Sequence, residues 1–324
     1  MADFAKTASA KAALQATGSD IHTPELFVLS LARGLDRVFK RDFETPKQGE
    51  RYLATATTKR ERQTFQTYRT LGGVVPQSRD ADDINFVTRA EGFGFEVQTY
   101  NYRQGIQIEK TLEEVDDVGV IRGMQADLVE NAKMTEEYAI ADVFNRGVDP
   151  TNAPVLADDG MYLIDADRPN ANPAAGMWSN EEADSAVTAT SLWTARLNAR
   201  KMTDENGRLY PTYIKKAIVR PDEEKVMEEI MKSEKNPANA NNTYNTMYQK
   251  MEYEVYDYLT AANIFYVLDN PKSEKNELKL YWRVAPSLKT WVGDNPDVTK
   301  QRIRMAFGIG LGSPRKMWRG GKIV

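Results

Sequence analysis

Hydrophobic and polar positions change their spacing several times along the chain. Residues 1–20 show no clear period. Thr23-Pro24-Glu25 then reads as a helix start: threonine can cap, proline fits the first turn, and an early acid suits the helix dipole. Leu26, Leu29, Leu31, Leu35, Val38 and Phe39 carry an amphipathic helix to about Arg41, and Pro46-Lys47-Gln48-Gly49 breaks it. From Gln63 to Val75 the chain turns to Thr, Tyr, Phe and Val, which predicts a strand. Residues 76–83 are a polar turn cluster. Phe93, Phe95, Val97 and Thr99 then alternate with Gly94, Glu96, Gln98 and Tyr100, and Ile106 and Ile108 extend the pattern beyond a break near Gly105. The prediction is a long polar ribbon over residues 63–109. A two-stranded ribbon is marginal in water by itself, so it must lean on its own domain or on a neighbour.

Thr111 followed by Glu113, Glu114, Asp116 and Asp117 predicts the start of a second helix. Val118, Ile121, Met124, Leu128, Ala132, Tyr138 and Val143 approximate one face of it, uninterrupted until Gly147 and Pro150. Such a rod has about 30 residues and a length of ~45 Å. Residues 150–182 are loop-rich, with Asp158-Asp159-Gly160, Pro169 and Pro173. A helix is expected over 189–202, closed by Asp204-Glu205-Asn206-Gly207, then an apolar strand over 214–219 stopped by Pro221. A helix over 221–232 places Val226, Met227 and Ile230 inward, before an asparagine-rich loop at 233–243. Strands are expected near 255–258, 264–268 and 278–284, and this α/β alternation reads as one compact subdomain. The last strand has the clearest two-residue period. Ile303, Met305, Phe307 and Ile309 face one way and Arg302, Arg304, Ala306 and Gly308 the other, before Gly310-Leu311-Gly312-Ser313-Pro314.

Composition supports segments that leave the core. Only 41% of the 324 residues are apolar and the mean hydropathy is -0.58, a low value for a compact globule; a well-solvated two-domain protein is the plain alternative. The absence of cysteine excludes disulfides and thiol nucleophiles, and the single His22 cannot build an imidazole zinc site within one chain. A net charge of -4 and a pI of 5.4 are not the balance of a nucleic-acid-binding domain, though nucleic acid could still lie against one local face. No stretch approaches the roughly 20 apolar residues that cross a bilayer, and residues 1–18 lack the apolar core of a secretory signal. The chain is therefore expected to be made and kept in a cytoplasm, with no membrane partner.

Candidate chemistry is sparse. Gly92-Phe93-Gly94 and Gly308-Ile309-Gly310-Leu311-Gly312 resemble fragments of dinucleotide loops without their spacing or following helix, so tight turns and strand ends account for them. There is no phosphate-binding lysine loop and no Gly-x-Ser-x-Gly elbow. His22 reads as solvated or capping. Asp82-Asp83, Asp116-Asp117 and Asp158-Asp159 read as solvated or dipole-matching acids, because acid–base catalysis needs carboxyls in different environments. Asp165 and Asp167 are only a fragment of a calcium loop. Trp178, Trp193, Trp282, Trp291 and Trp318 default to core or interface packing. The basic end, Arg315, Lys316, Arg319 and Lys322, reads as keeping the terminus soluble in preference to touching nucleic acid. No catalytic, cofactor or metal residue is assigned. A ribbon and a rod that bury little in their own subunit fit a symmetric assembly.

Five segments, in order, carry a resemblance. They are Gly92-Phe93-Gly94-Phe95-Glu96 through Ile108-Glu109-Lys110 to the acids at 113–117; Val143-Phe144-Asn145; residues 195–201 with Asp204-Glu205-Asn206-Gly207; Ala217-Ile218-Val219-Arg220-Pro221; and residues 304–310 with Trp318-Arg319-Gly320. Together, from about Leu35 to Arg319, they resemble tailed-phage major capsid proteins of the Hong Kong 97 type, within the group of Mu-like major head subunits. No single one is diagnostic; their order and separation carry the likeness.

The resemblance implies an α+β fold, the Hong Kong 97-type capsid fold. Its parts would be an N-terminal arm at 1–50, an extended β-hairpin loop at 51–109, a peripheral domain with the long spine helix at 110–183 and 285–324, and an inserted axial domain at 184–284. It implies a non-enzymatic subunit forming hexamers and pentamers of an icosahedral head around double-stranded DNA, in the virion capsid after assembly in the bacterial cytoplasm. Portal protein and a separate scaffolding protein are implied partners, the latter because no long N-terminal extension is seen; a decoration or cement protein is allowed, and packaged DNA would touch the inner surface weakly. Some relatives join subunits through a loop lysine and an asparagine, but residues 63–109 contain no lysine and Lys59 sits towards the loop base, so a non-covalent shell is expected. Arg79, Asp80, Asp82, Asp83, Arg89 and Glu91 are the expected contacts between subunits. The alternatives are a cargo-enclosing nanocompartment shell of the same fold and a cytosolic carboxylate-dependent enzyme.

Overall fold

The structure is a computed structural model of the chain, described here for residues 47–69, 88–109, 119–149, 151–182, 186–235, 244–261, 264–269, 278–292 and 298–320. In chain order the strands are β1 (Ala54–Thr57), β2 (Arg62–Tyr68), β3 (Glu91–Gln98), β4 (Tyr100–Glu109), β5 (Arg168–Pro169), β6 (Met177–Trp178), β7 (Glu181–Glu182), β8 (Lys216–Val219), β9 (Glu252–Val255), β10 (Phe265–Leu268), β11 (Leu278–Val292), β12 (Val298–Leu311) and β13 (Met317–Gly320). The helices are α1 (Gly119–Asn145), α2 (Ala189–Arg200) and α3 (Glu224–Lys232). The helix expected at 23–41, His22, the acids at 113–117 and most of the asparagine-rich loop lie outside the described residues.

The described chain falls into two compact units. One holds residues 104–129 and 288–303. Here β4 runs straight through Gly105, where a break was expected, because a Cβ there would come within 2.9 Å of the Gln301 carbonyl. Glycine marks a close strand approach and not an interruption. Ile108, Ile121, Leu128 and Ile303 are buried in this unit.

The other unit holds 46–103, 130–287 and 304–320 of the described chain and is layered. Its five-stranded sheet has the order β7-β13-β10-β8-β9. The central β10 is antiparallel to both neighbours: Phe265 lies opposite Gly320 and Val219, and Val267 opposite Trp318 and Ala217. All four β10 residues are buried, as expected of a continuous apolar strand covered on both faces. Alternation then sorts the side chains. On one face Phe265, Val267, Ala217, Val219 and Trp318 form a core with Leu192, Ala195 and Ala199 of α2 and Met227, Ile230 and Met231 of α3.

Tyr266 points the other way, to the end of α1. Its ring meets Phe144 edge to face at 5.2 Å, and its hydroxyl donates to the Phe144 carbonyl at 2.5 Å. Asn145 fastens the same end: Nδ2 donates to the Tyr258 carbonyl at 3.0 Å, and Oδ1 accepts from the Thr260 N–H at 2.9 Å. The Val-Phe-Asn helix ending is thus a joint between helix and sheet. Tyr138, expected on the inward face, is 61% exposed. It lies two residues from the buried Ile140, which puts it on the far side of the helix.

Local chemistry fixes the connections. Thr188 and Ser191 form a reciprocal capping box at the start of α2, with bonds of 3.1 and 3.0 Å. After it, Asp204 Oδ1 accepts from the Asn206 and Arg208 N–H groups at 2.9 and 2.8 Å, and Gly207 supplies the positive φ of 78° the turn needs. The strand expected at 255–258 ends at Val255, while β11 and β12 run well beyond the lengths expected.

A second sheet has the order β1-β11-β12-β4, with β1 parallel to β11 from Ala54 opposite Lys279 to Thr57 opposite Trp282. In β12, Met305 and Phe307 are buried as their period predicts, but so are Ala306 and Gly308 on the other face. A Cβ on Gly308 would collide with the Gln98 carbonyl, and one on Gly310 with Val97 and Tyr281. Gly308 and Gly310 lie inside the strand, where neighbours leave no room for a side chain; the strand end expected here follows directly, at Leu311.

Candidate assembly site

Part of the predicted ribbon is present, as β2 paired antiparallel with β3, Phe65 opposite Phe95 and Thr64 opposite Glu96; residues 70–87 lie outside the described residues, and 100–109, expected to continue the return strand, form β4 beside β12 in the second sheet instead. Along β2 exposed and half-buried positions alternate strictly. The half-buried face leans on the unit's own sheet: Phe65 stacks on Phe95 at 5.2 Å and reaches Tyr281 at 5.1 Å, beside Val97 and Ala56. The outer face carries exposed polar groups, including an Arg62–Glu96 pair at 2.5 Å. An exposed pair contributes at most about 1 kcal/mol, so among the described residues this face is held only weakly.

Of the expected contact residues, Arg79, Asp80, Asp82 and Asp83 lie outside the described residues. Arg89 and Glu91 are exposed and close together at the end of the described ribbon. Arg89 Nε donates to the Arg69 carbonyl at 3.2 Å, and its guanidinium lies 5.6 Å from the Tyr68 ring centroid. Glu91 pairs opposite Tyr68, itself half exposed.

The segment leading into the ribbon is anchored on α1 by buried polar groups. The Lys47 ammonium pairs with the Glu136 carboxylate and lies 3.5 Å from Glu50. The Gly49 N–H donates to both Glu137 oxygens, at 3.1 and 2.9 Å, and the Tyr256 hydroxyl donates to Glu137 Oε2 at 3.0 Å. Burial pushes the Glu136 carboxyl up to about 8, against the opposing pull of Lys47. Burial also raises Glu137, opposed by the donors from Gly49 and Tyr256. These anchors were not foreseen. One signal was available: Glu136 falls four residues from both Ala132 and Ile140, so it is an acid on the apolar stripe of the helix.

A second buried polar cluster corrects two expectations. Asp159 is not a solvated acid: its carboxylate binds fully buried Arg168 at 2.7 and 3.0 Å. Asp158 is buried as well. Nor does the basic end serve solubility or nucleic acid through its arginines. Arg315 is 8% exposed, lies over the Trp178 ring, donates to the Thr203 carbonyl at 2.6 Å and bonds Asn170. Arg319 is 1% exposed and pairs with Glu181 at 3.0 Å. Burial lowers the pKa of both Arg168 and Arg315, yet a guanidinium keeps its proton in a protein. Buried charge of this kind holds a geometry and is strongly destabilising to break. Trp178 and Trp318 lie in the core as expected, whereas Trp193 is exposed.

A cleft of about 630 Å³ opens between the ribbon base, α1, residues 154–160 and β12. Its lining is largely apolar, with Tyr100, Tyr102, Leu156 and Phe307, and of its three acids, Glu96, Asp142 and Asp158, Glu96 pairs with Arg62 and Asp142 with Arg146. Among the described residues no cluster of acids and histidine could hold a metal, and no helix is long and apolar enough to cross a membrane.

The model of a phage capsid protein family matches residues 55–320 of the chain. Comparison with curated protein sequences gives no match. Among solved structures, the capsid of Ralstonia phage GP4 aligns at 10% identity over 85% of this chain and 86% of that one, with a TM-score of 0.55. The mature capsid of bacteriophage PhiM1 aligns at 9% identity over 85% and 87%, with a TM-score of 0.52. The procapsid of bacteriophage JBD30 aligns at 14% identity over 93% and 77%, with a TM-score of 0.51. At these identities the likeness is one of fold, and it agrees with the α+β class expected from sequence.

Proposed function

The chain belongs to the phage capsid protein family, and from that membership we propose that it self-assembles as hexamers and pentamers into an icosahedral head enclosing phage double-stranded DNA. It is a structural subunit of the virion capsid and not an enzyme. The family match over residues 55–320 carries this conclusion. The ribbon supports it physically, since one face is anchored on the subunit and the other is left for a neighbour.

The finer parts of the proposal are these. Residues 1–50 are the arm, 51–109 the extended loop, 110–183 with 285–324 the peripheral domain, and 184–284 the axial domain. The loop clasps the next subunit through Arg79, Asp80, Asp82, Asp83, Arg89 and Glu91, without a covalent bond. Assembly takes place in the host cytoplasm with a portal protein and a separate scaffolding protein. A decoration protein can bind outside, and DNA touches the inner surface only weakly, because tight phosphate binding would oppose packaging and release.

Electron microscopy of the purified protein, expressed with its scaffolding partner, tests the core of the proposal. Closed particles tens of nanometres wide are expected; a monomer or small oligomer under all conditions would refute it.

A further inference from the structure

The two helices on the outer face of the five-stranded sheet differ in character. α2 packs over β7 and β13, towards one edge of the sheet, and α3 packs over β9, the strand at the opposite edge. Both bury one side in the same core. Their other sides face solvent.

The free side of α2 is aromatic and basic. Trp193 and Leu197 are 44% and 41% exposed, one helical turn apart. Arg196 lies 5.8 Å from the Trp193 ring centroid and Arg200 5.3 Å from that of Tyr213, which is also exposed. No acid occurs between Thr188 and Lys201. Leaving a tryptophan, a leucine and a tyrosine in water beside arginines is unusual for a free surface and typical of an interface centre.

The free side of α3 is acidic. Asp222, Glu224, Glu228 and Glu229 are exposed and outnumber the exposed Lys225 and Lys232; Lys232 is bound to Glu228 at 2.7 Å, and Asp222 to Arg220. Beside them Lys232 lies over the half-buried Tyr253 ring. The methylene stems here and that ring give an apolar partner something to cover. A cationic aromatic face and an acidic face therefore sit at opposite edges of one sheet. That is the arrangement of a head-to-tail contact, in which the same pair of unlike surfaces repeats around a closed ring.

We propose that the occupant of the α2 face is the α3 face of a second copy of this chain, with Arg196 and Arg200 meeting Glu224 and Glu228 around Trp193 and Leu197. The inference rests on the capsid assignment and names the surfaces through which subunits of one ring recognise each other. Guanidinium–carboxylate pairs give such a contact direction and register, and the rim charges exclude like faces from meeting.

Charge-reversed subunits test it. One variant carries Arg196→Glu with Arg200→Glu, so both of its faces are acidic; the other carries Glu224→Lys with Glu228→Lys, so both are basic. Each alone is expected to lower the yield of rings and shells at least tenfold, with a thermal melt like that of the parent. Mixed in equal amounts, unlike faces meet again and assembly returns. Alternation then admits rings of even number only, so micrographs of the mixture should show six-membered rings and open sheets without five-fold vertices. Normal assembly of either variant alone overturns the inference, as does a mixture that stays unassembled while both components melt normally. Should a double variant melt early, Arg200→Glu and Glu224→Lys singly serve the same comparison. Failure of the unaltered chain to assemble would count against the capsid assignment instead.

Discussion

The guanidinium of Arg315 sits 4.3 Å from the ring centroid of Trp178, a residue far away in sequence. Arg168 lies 5.1 Å from the same ring and binds Asp159. The contact ties the approach to β13 to the loops at 151–182. It should matter for stability. Trp178→Ala is expected to cost about 3–5 kcal/mol, as large core truncations do. Arg315→Lys keeps the charge but loses the flat stack and the fork, at about 1–3 kcal/mol. Urea denaturation of the dissociated subunit measures both, and an Arg315→Lys variant with the parent's midpoint would show that the stack contributes little.

Gly308→Ala places a methyl against the Gln98 carbonyl. Backbone cannot swing aside as a side-chain tip can, so β12 or β3 must shift. A loss of about 1–3 kcal/mol is expected, the usual range for overpacking. Gly160→Ala is the control: open space surrounds it, and only its positive φ of 79° resists the change. The same denaturation series should rank Gly308→Ala as the worse of the two.

Stability should depend on pH through Glu136. Its carboxyl is raised to about 8 in the fold, whereas an unfolded glutamate titrates near ~4.3. Between these values the native state holds the extra proton. The contribution is fully present below the unfolded value and is lost as pH rises through the folded one. Lys47 and Glu50 are the charged groups that face it. Denaturation midpoints should therefore fall between about pH 5 and pH 9, and Glu136→Gln should flatten that slope. An unchanged slope in the variant would assign the dependence elsewhere.

Reversal of Asp82 and Asp83 to lysine is expected to cut shell yield while leaving the subunit's circular dichroism and melt unaltered. Each exposed pair contributes at most about 1 kcal/mol, but a shell repeats it at every contact. Undiminished assembly would remove these residues from the contact set.

Particles heated in detergent should give one monomer band. Residues 63–109 offer no lysine for an isopeptide bond. A ladder of covalent oligomers would contradict the non-covalent shell.

Much of the fold was legible because it depends on local period. Alternation at 93–99 marked β3, the apolar run at 264–268 marked β10, and the cap, turn and Pro221 bounded α2, β8 and α3. The amphipathic spacing of Met227 and Ile230 named the inward face of α3 correctly. The long helix was read from its lack of breakers, but its inward face was misjudged at Tyr138, since a helix packed at its end on a sheet buries different positions from one buried along a single stripe.

Local spacing and composition alone placed α1, α2 and α3 and most of β2, β3, β8, β10, β11 and β12, and ruled out thiol chemistry; β1, β5, β6, β7 and β13 are too short for a period to show. The fate of the charged residues was settled by packing between segments. Asp159, Arg168, Arg315 and Arg319 look like solvent-facing residues along the chain, and the fold buries all of them with partners, Asp159 and Arg168 with each other across one loop and Arg315 and Arg319 with Thr203 and Glu181 from distant segments. Whether a charge meets water or a counter-charge is set by what folds against it, and outside a helical stripe such as that of Glu136 no local pattern carries that information.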